Sequence, residues 1–200
     1  MKQFLGIAAS ALVVLLCGCD EGEDLFTEQQ NGIVRYLTST RGLIPETETG
    51  EVIEDNPAFY TELGRSAFRH IVTYYDAGRE ERIEAVEGST LDLLFNAYIF
   101  GNSEPTLADV YWSNIGSTVS ALESRNGVGA PLDWQIEPLT VTLGSTKMIQ
   151  GLEEALNGCR EQDSVQIYMT YNMAYGKNIV GTVPKNSPVA WYVKILKVTK

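Results

Sequence analysis

The chain has 200 residues, 44% of them apolar and 20% charged, and a formal charge of −11. That length suffices for one domain with a real core plus an extension. The acidic balance leaves no basic stripe for a nucleic-acid backbone. The one histidine, His70, has no metal-ligand spacing, hydrolytic triad or phosphate loop around it, so neither a metal nor a cofactor is expected.

Lys2 gives a positive start, Phe4 to Leu16 an apolar run too short to span a bilayer comfortably, and small residues precede a cysteine. This is the pattern of a secretory leader. The tetrad Leu16-Cys17-Gly18-Cys19 resembles the bacterial lipobox, which implies a leader over residues 1–18, a thioether-linked lipid on Cys19 and attachment to a membrane through several acyl chains. The alternative is an ordinary signal cut near Gly18. The lipobox reading places the protein in a bacterial cell envelope, anchored at the outer membrane on its periplasmic or surface side. Asp20-Glu21-Gly22-Glu23-Asp24 then reads as a solvated tether or as a signal that sorts between membranes.

Residues 19–65 are polar, contain Pro45 and Pro57, and read as lipidated tether and extension, with room for one short helix around Asp24 to Thr38. The composition changes near Ser66, and the folded domain is expected over 66–200. Phe68 to Tyr75 is rich in aromatic and β-branched residues and predicts a strand, which Asp76-Ala77-Gly78 would turn towards Ile83 to Val86. Leu91, Leu93, Phe95, Ala97 and Ile99 alternate with the period of a half-buried strand, as do Val165 to Met173 and Ala190 to Val198. Ile149, Leu152 and Leu156 recur at helical spacing, Ser145 or Thr146 can cap the start, and Gly158 can end it in a left-handed conformation. Glu153 and Glu154 are adjacent on that helix, face different ways and are expected to be solvated. With Cys17 lost and Cys19 lipidated, Cys159 has no disulfide partner and reads as a buried, inert thiol. One helix among late strands predicts an α+β fold.

From residue 143 the chain runs Leu143-Gly144, Met148-Ile149-Gln150-Gly151-Leu152-Glu153-Glu154-Ala155-Leu156, Ala174-Tyr175-Gly176, Val183-Pro184 and Ala190-Trp191-Tyr192-Val193-Lys194-Ile195-Leu196. That succession resembles the C-terminal half of an FKBP-type peptidyl-prolyl cis-trans isomerase. The likeness is good over about the last 60 residues by the motifs just named, weaker over Leu91 to Pro138, and absent before Ser66. It implies an FKBP-like bent antiparallel sheet wrapped around one short helix, with the N-terminal extension outside it.

The resemblance also implies a site. Phe95 and Tyr111 would form one side of an apolar cup, with Val141 as wall, Met148 and Ile149 at the helix start, Leu152 as floor, and Val183 and Trp191 closing it. Tyr175 would offer its hydroxyl and Ile149 its backbone N–H to substrate carbonyls, though a tyrosine before glycine is also a common turn-packing aromatic. The family's Phe-Asp pair has its counterpart in Tyr111-Trp112, so Trp112 stands where an aspartate is usual. Lys185 replaces the second proline of a Pro-Pro, and Leu152 stands where many members carry tryptophan. The implied partners are proline-containing segments of unfolded or exported proteins. Three functions follow: a membrane-anchored prolyl isomerase, a weakened isomerase that holds peptides as a chaperone, or a lipoprotein scaffold of an envelope complex. Tyr111-Trp112 favours the second over the first, and Tyr175, Ile149 and Val183-Pro184 favour the first over the third.

Overall fold

The computed structural model describes residues 21–41, 61–64, 66–126 and 133–200. The expected leader and the lipid acceptor Cys19 lie outside the described residues. The elements are α1 (Glu21–Arg41), β1 (Thr61–Leu63), β2 (Ala67–Ile71), β3 (Thr90–Ile99), β4 (Val110–Ser113), α2 (Gly116–Asn126), β5 (Leu139–Thr142), α3 (Gln150–Leu156), β6 (Ser164–Met169) and β7 (Val189–Thr199).

The strands form one sheet in the order β1-β2-β6-β7-β3-β4, with β5 also on β3. Every pairing is antiparallel. The long central pair is β3 with β7, from Thr90 opposite Thr199 to Ile99 opposite Val189. The other edge of β3 is shared: Thr90 to Leu93 pair with β5, and Asn96 to Tyr98 pair with β4. Between them the chain needs substitute partners for backbone groups that no strand reaches. Asn114 supplies them: its Oδ1 accepts from Phe95 N–H at 2.7 Å and its Nδ2 donates to Leu93 O at 2.8 Å and Glu137 O at 3.0 Å.

Alternation decides the inner face. Leu91, Leu93, Phe95 and Ala97 of β3 are fully buried there and pack with Val165, Ile167 and Met169 of β6 and Trp191, Val193 and Ile195 of β7. The expected α+β arrangement of an antiparallel sheet around a short helix is what forms. α3 lays Leu152, Ala155 and Leu156 on this face, each at most 3% exposed, and loss of a leucine there would cost about 2–5 kcal/mol. Its end is held by Arg69 of β2, whose Nη1 donates to Ala155 O at 3.0 Å and Asn157 O at 2.7 Å, a cation on the terminal carbonyls. Gly158 has φ +79°, the left-handed exit expected of it. Cys159 is fully buried, and burial pushes its thiol up to about 11, so it is inert at neutral pH.

Some local expectations give way. No side chain caps α3: it begins after Ile149, and Thr146 instead accepts from Thr142 N–H. Glu153 is half-buried rather than solvated, because its Oε1 accepts from Gly144 N–H at 2.7 Å. The strand over Phe68–Tyr75 stops at Ile71, where turns begin. Ile83 to Val86 makes one isolated bridge, Glu84 with Arg160, and leaves Ile83 and Val86 exposed, since only Ala85 points into the core.

Two further helices accompany α3. α2 follows β4 and anchors through Val119 and Leu122. α1 covers the outer face of the sheet: Ile33, Tyr36 and Leu37, spaced for one helical face, pack with Phe68, Tyr98, Phe100, Tyr168 and Ala190.

Candidate functional site

Ten residues were singled out from the sequence, and the inner cluster contains them all. Phe95, Val141, Leu152, Val183 and Trp191 are buried within it, whereas Tyr111, Trp112, Met148, Ile149 and Tyr175 are half-buried against it. Buried members thus form a floor, and half-buried members from β4, the approach to α3 and the loop after β6 form a mouth.

The floor is aromatic. Phe95 and Trp191 lie on neighbouring strands and stack with centroids 4.7 Å apart and planes 29° apart. Trp112, opposite Ala97 in register, sets its ring edge-on to both, 4.7 Å from Phe95 and 5.7 Å from Trp191. Phe95 is held in place by its Asn114 bond and by Ser113, whose Oγ donates to Phe95 O at 3.1 Å. Nothing in the sequence marks Ser113 or Asn114 for this task, since a Ser-Asn pair after a short apolar run has no signature apart from a turn.

The polar groups form a short chain. Trp191 Nε1 donates to Tyr111 Oη at 2.8 Å, and the hydroxyls of Tyr111 and Tyr175 are 3.1 Å apart. An indole can only donate, so Tyr111 accepts from it; with the Tyr111 O–H donated in turn to Tyr175 Oη, the O–H of Tyr175 is left for an incoming acceptor. Both phenols are held neutral. Burial, then the neighbouring Tyr175, raises Tyr111 far above the ordinary range, and burial raises Tyr175.

Tyr175 is presented by a tight loop. After a 3₁₀ turn at Tyr171–Met173, Gly176 takes φ +62°, which places a glycine after the tyrosine, and its N–H donates to Tyr171 O at 2.8 Å. Val180 and Val183 bond each other in both directions across the loop tip, seating Val183 in the floor. On the other side of the mouth, Ile149 precedes α3, and its N–H has no hydrogen-bond partner among the described residues. Beside Tyr111 a groove of about 530 Å³ runs between Leu107, Leu122, Arg125, Trp134 and Thr182; of the ten residues only Tyr111 lines it. No group of acidic, histidine or cysteine side chains suited to a metal occurs among the described residues. The arrangement offers a half-buried aromatic rim over a buried apolar floor, with a phenol and an unpartnered backbone N–H as hydrogen-bond donors.

Comparison with known proteins places this arrangement. A family model of FKBP-type peptidyl-prolyl cis-trans isomerases matches residues 125–196, which include α3, the Tyr175 loop and most of β7. An FK506-binding protein of Neisseria meningitidis serogroup A is 32% identical over 78 residues, a match covering 38% of this chain and 71% of the relative. The structure of the three FKBP domains of wheat FKBP73 superposes with a TM-score of 0.51 at 18% identity, over 71% of this chain; the chain spans about half (51%) of that longer protein. That likeness concerns the fold, while the closer sequence match carries the family. The chain belongs to the family of FKBP-type peptidyl-prolyl cis-trans isomerases.

Proposed function

We propose that this protein is an active but weakened prolyl isomerase that assists folding of exported proteins from a lipid anchor on Cys19, at the outer membrane of a bacterial envelope. The observation that carries the reading is the mouth itself, where the Tyr175 phenol and the Ile149 N–H flank a floor of Phe95, Leu152, Val183 and Trp191.

Rotation about an X-Pro bond meets a barrier of about 20 kcal/mol and takes tens of seconds unaided, and no covalent bond is broken. The planar amide is more polarised than the twisted one, so removal from water costs the ground state more than the transition state. A proline ring against Phe95 and Trp191 would place its imide in such surroundings. Ile149 N–H would donate to one substrate carbonyl and the Tyr175 O–H to a second, fixing the peptide on both sides of the rotating bond. Because no step moves a proton, the absence of an acid–base pair among the ten residues fits the chemistry.

Trp112 is the reason for expecting reduced turnover. Where the family's resemblance leads one to an aspartate near the twisting amide, an indole packs against Phe95 and Trp191 and offers no carboxylate. The same ring adds apolar contact, which favours retention of peptide binding and keeps the chaperone reading in view. The experiment is refolding of a protein whose slow phase is limited by proline, with the full chain added. Acceleration supports the isomerase; no acceleration with peptide binding retained supports the chaperone, and loss of both leaves a scaffold. The lipid is tested separately, by mass spectrometry of the native N-terminal peptide for acyl chains on Cys19.

A further inference from the structure

The N-terminal helix is tied to the loop that presents Tyr175. Gln29, on α1 and only 8% exposed, accepts at Oε1 from Tyr171 N–H at 2.9 Å and donates from Nε2 to Asn186 O at 2.7 Å. Those two residues are the ends of the segment that contains Tyr175, Gly176 and Val183. Inside it, Gly176 N–H donates to Tyr171 O at 2.8 Å and Asn186 N–H to Gly176 O at 2.9 Å. The four residues therefore close a ring of hydrogen bonds, Gln29 to Tyr171 to Gly176 to Asn186 and back, with Tyr175 next to one member.

We propose that Gln29 is a positioning residue for the isomerase site: α1 clamps both ends of the Tyr175 loop through one side-chain amide. The inference rests on the functional reading above for its consequence, though not for the clamp. Between Tyr171 and Asn186 the loop's only strand-like pairing is the Val180–Val183 bridge, so the sheet does little to define where Tyr175 stands. A primary amide offers a donor and an acceptor at once, which a carboxylate or an aliphatic side chain cannot. α1 is held independently by Ile33, Tyr36 and Leu37, so the amide is delivered from a rigid element. A residue remote from the mouth in sequence thereby sets the Tyr175 phenol against Tyr111.

The test uses the full chain and three variants, Gln29→Leu, Gln29→Glu and Gln29→Asn, with amide hydrogen exchange read by residue and isomerase kcat/KM read in parallel. Gln29→Leu is expected to speed exchange at Tyr171, Gly176 and Asn186 several-fold, the factor for about one net hydrogen bond, with β3 and β7 unchanged, and to lower kcat/KM several-fold. Gln29→Glu keeps the acceptor for Tyr171 N–H but leaves Asn186 O without its donor, so it is expected to restore protection at Tyr171 N–H and not at Asn186 N–H, whose bond to Gly176 O loosens with the released end; Gln29→Asn, one methylene short, restores neither. Exchange in the loop that is unchanged, or that rises only together with β3 and β7, overturns the clamp. Faster loop exchange with kcat/KM unchanged overturns the positioning role and leaves the isomerase standing. If the wild type shows no isomerase activity, the functional reading has failed, and loop exchange together with the Tyr175 chemical shift on adding a proline peptide still decides whether Gln29 orders the site.

Discussion

The two faces of the sheet carry similar aromatic clusters and end them differently. On the outer face Tyr168 and Tyr192 share a hydroxyl contact of 2.6 Å, Tyr192 donates to Glu104 at 3.4 Å, and Tyr36 of α1 donates to the same carboxylate. On the inner face Trp191, Tyr111 and Tyr175 form a chain that meets no carboxylate among the bonds described. One chain terminates on the exposed carboxylate of Glu104, an acceptor within the protein, and the other terminates at a half-buried phenol with no carboxylate among the described residues to receive it. Composition alone does not separate a structural aromatic cluster from a binding one; where the last hydrogen-bonding group is spent does.

The comparison is sharpest in paired truncations. Phe68→Ala on the outer face and Phe95→Ala on the inner face both remove a fully buried ring and should each cost about 3–5 kcal/mol in denaturant unfolding. At a temperature where both remain folded, Phe68→Ala should keep wild-type kcat/KM, whereas Phe95→Ala should lose most of it. Equal activity in the two would erase the functional difference between the faces.

Removal of residues 19–65 tests the boundary at Ser66. We propose that 66–200 still unfolds cooperatively. A lower midpoint is expected, because Phe68, Tyr98 and Tyr168 lose the cover of Ile33, Tyr36 and Leu37. An unfolded or aggregated fragment would make the packing of α1, or the pairing of β1 with β2, indispensable to the fold.

Trp112→Asp separates catalysis from packing. Loss of edge contacts with Phe95 and Trp191 should cost about 1–3 kcal/mol of stability, while an acid near the rotating amide should raise kcat/KM with little change in peptide affinity. A fall in both would remove the explanation offered for weak turnover.

The smallest effects concern single hydroxyls. Tyr175→Phe should cost about 1 kcal/mol of transition-state binding, a several-fold drop in kcat/KM, with stability nearly unchanged; Tyr36→Phe should do the reverse. The pH dependence follows from the same phenols. Their folded pKa values lie above the unfolded value near 10, so their contribution is complete below about pH 10 and is lost as pH rises beyond it. Between pH 6 and 9 neither phenol changes charge, and kcat/KM should be flat across that interval.

Much of this was legible because strict periods mark elements buried on one side. The alternation of Leu91, Leu93, Phe95 and Ala97 gave β3, that of Ala190 to Val198 gave β7, and Ile149, Leu152 and Leu156 gave the neighbourhood of α3. What escaped notice lacks a period or depends on distant partners. α2 begins Gly-Ser-Thr, weak helix formers, and buries only Val119 and Leu122 along its length. α1 falls where a short helix is expected, around Asp24 to Thr38; its buried face, marked by a glutamine, an isoleucine, a tyrosine and a leucine behind an acidic run, has no visible partner until the sheet it covers is known. The ten site residues could be gathered in advance because a resemblance supplied their spacing; Asn114 and Gln29 could not, since each satisfies backbone groups far away in sequence.

The most direct test of the central claim is exchange spectroscopy on a short proline peptide, whose cis and trans forms give separate signals. Uncatalysed interconversion takes tens of seconds, so no cross-peaks appear at mixing times below a second. Adding the full chain at low concentration should produce them, Tyr175→Phe should weaken them several-fold, and the Ile149 amide should shift on titration. Absence of cross-peaks with an unmoved Ile149 amide would contradict the claim that this mouth is where a prolyl bond is turned.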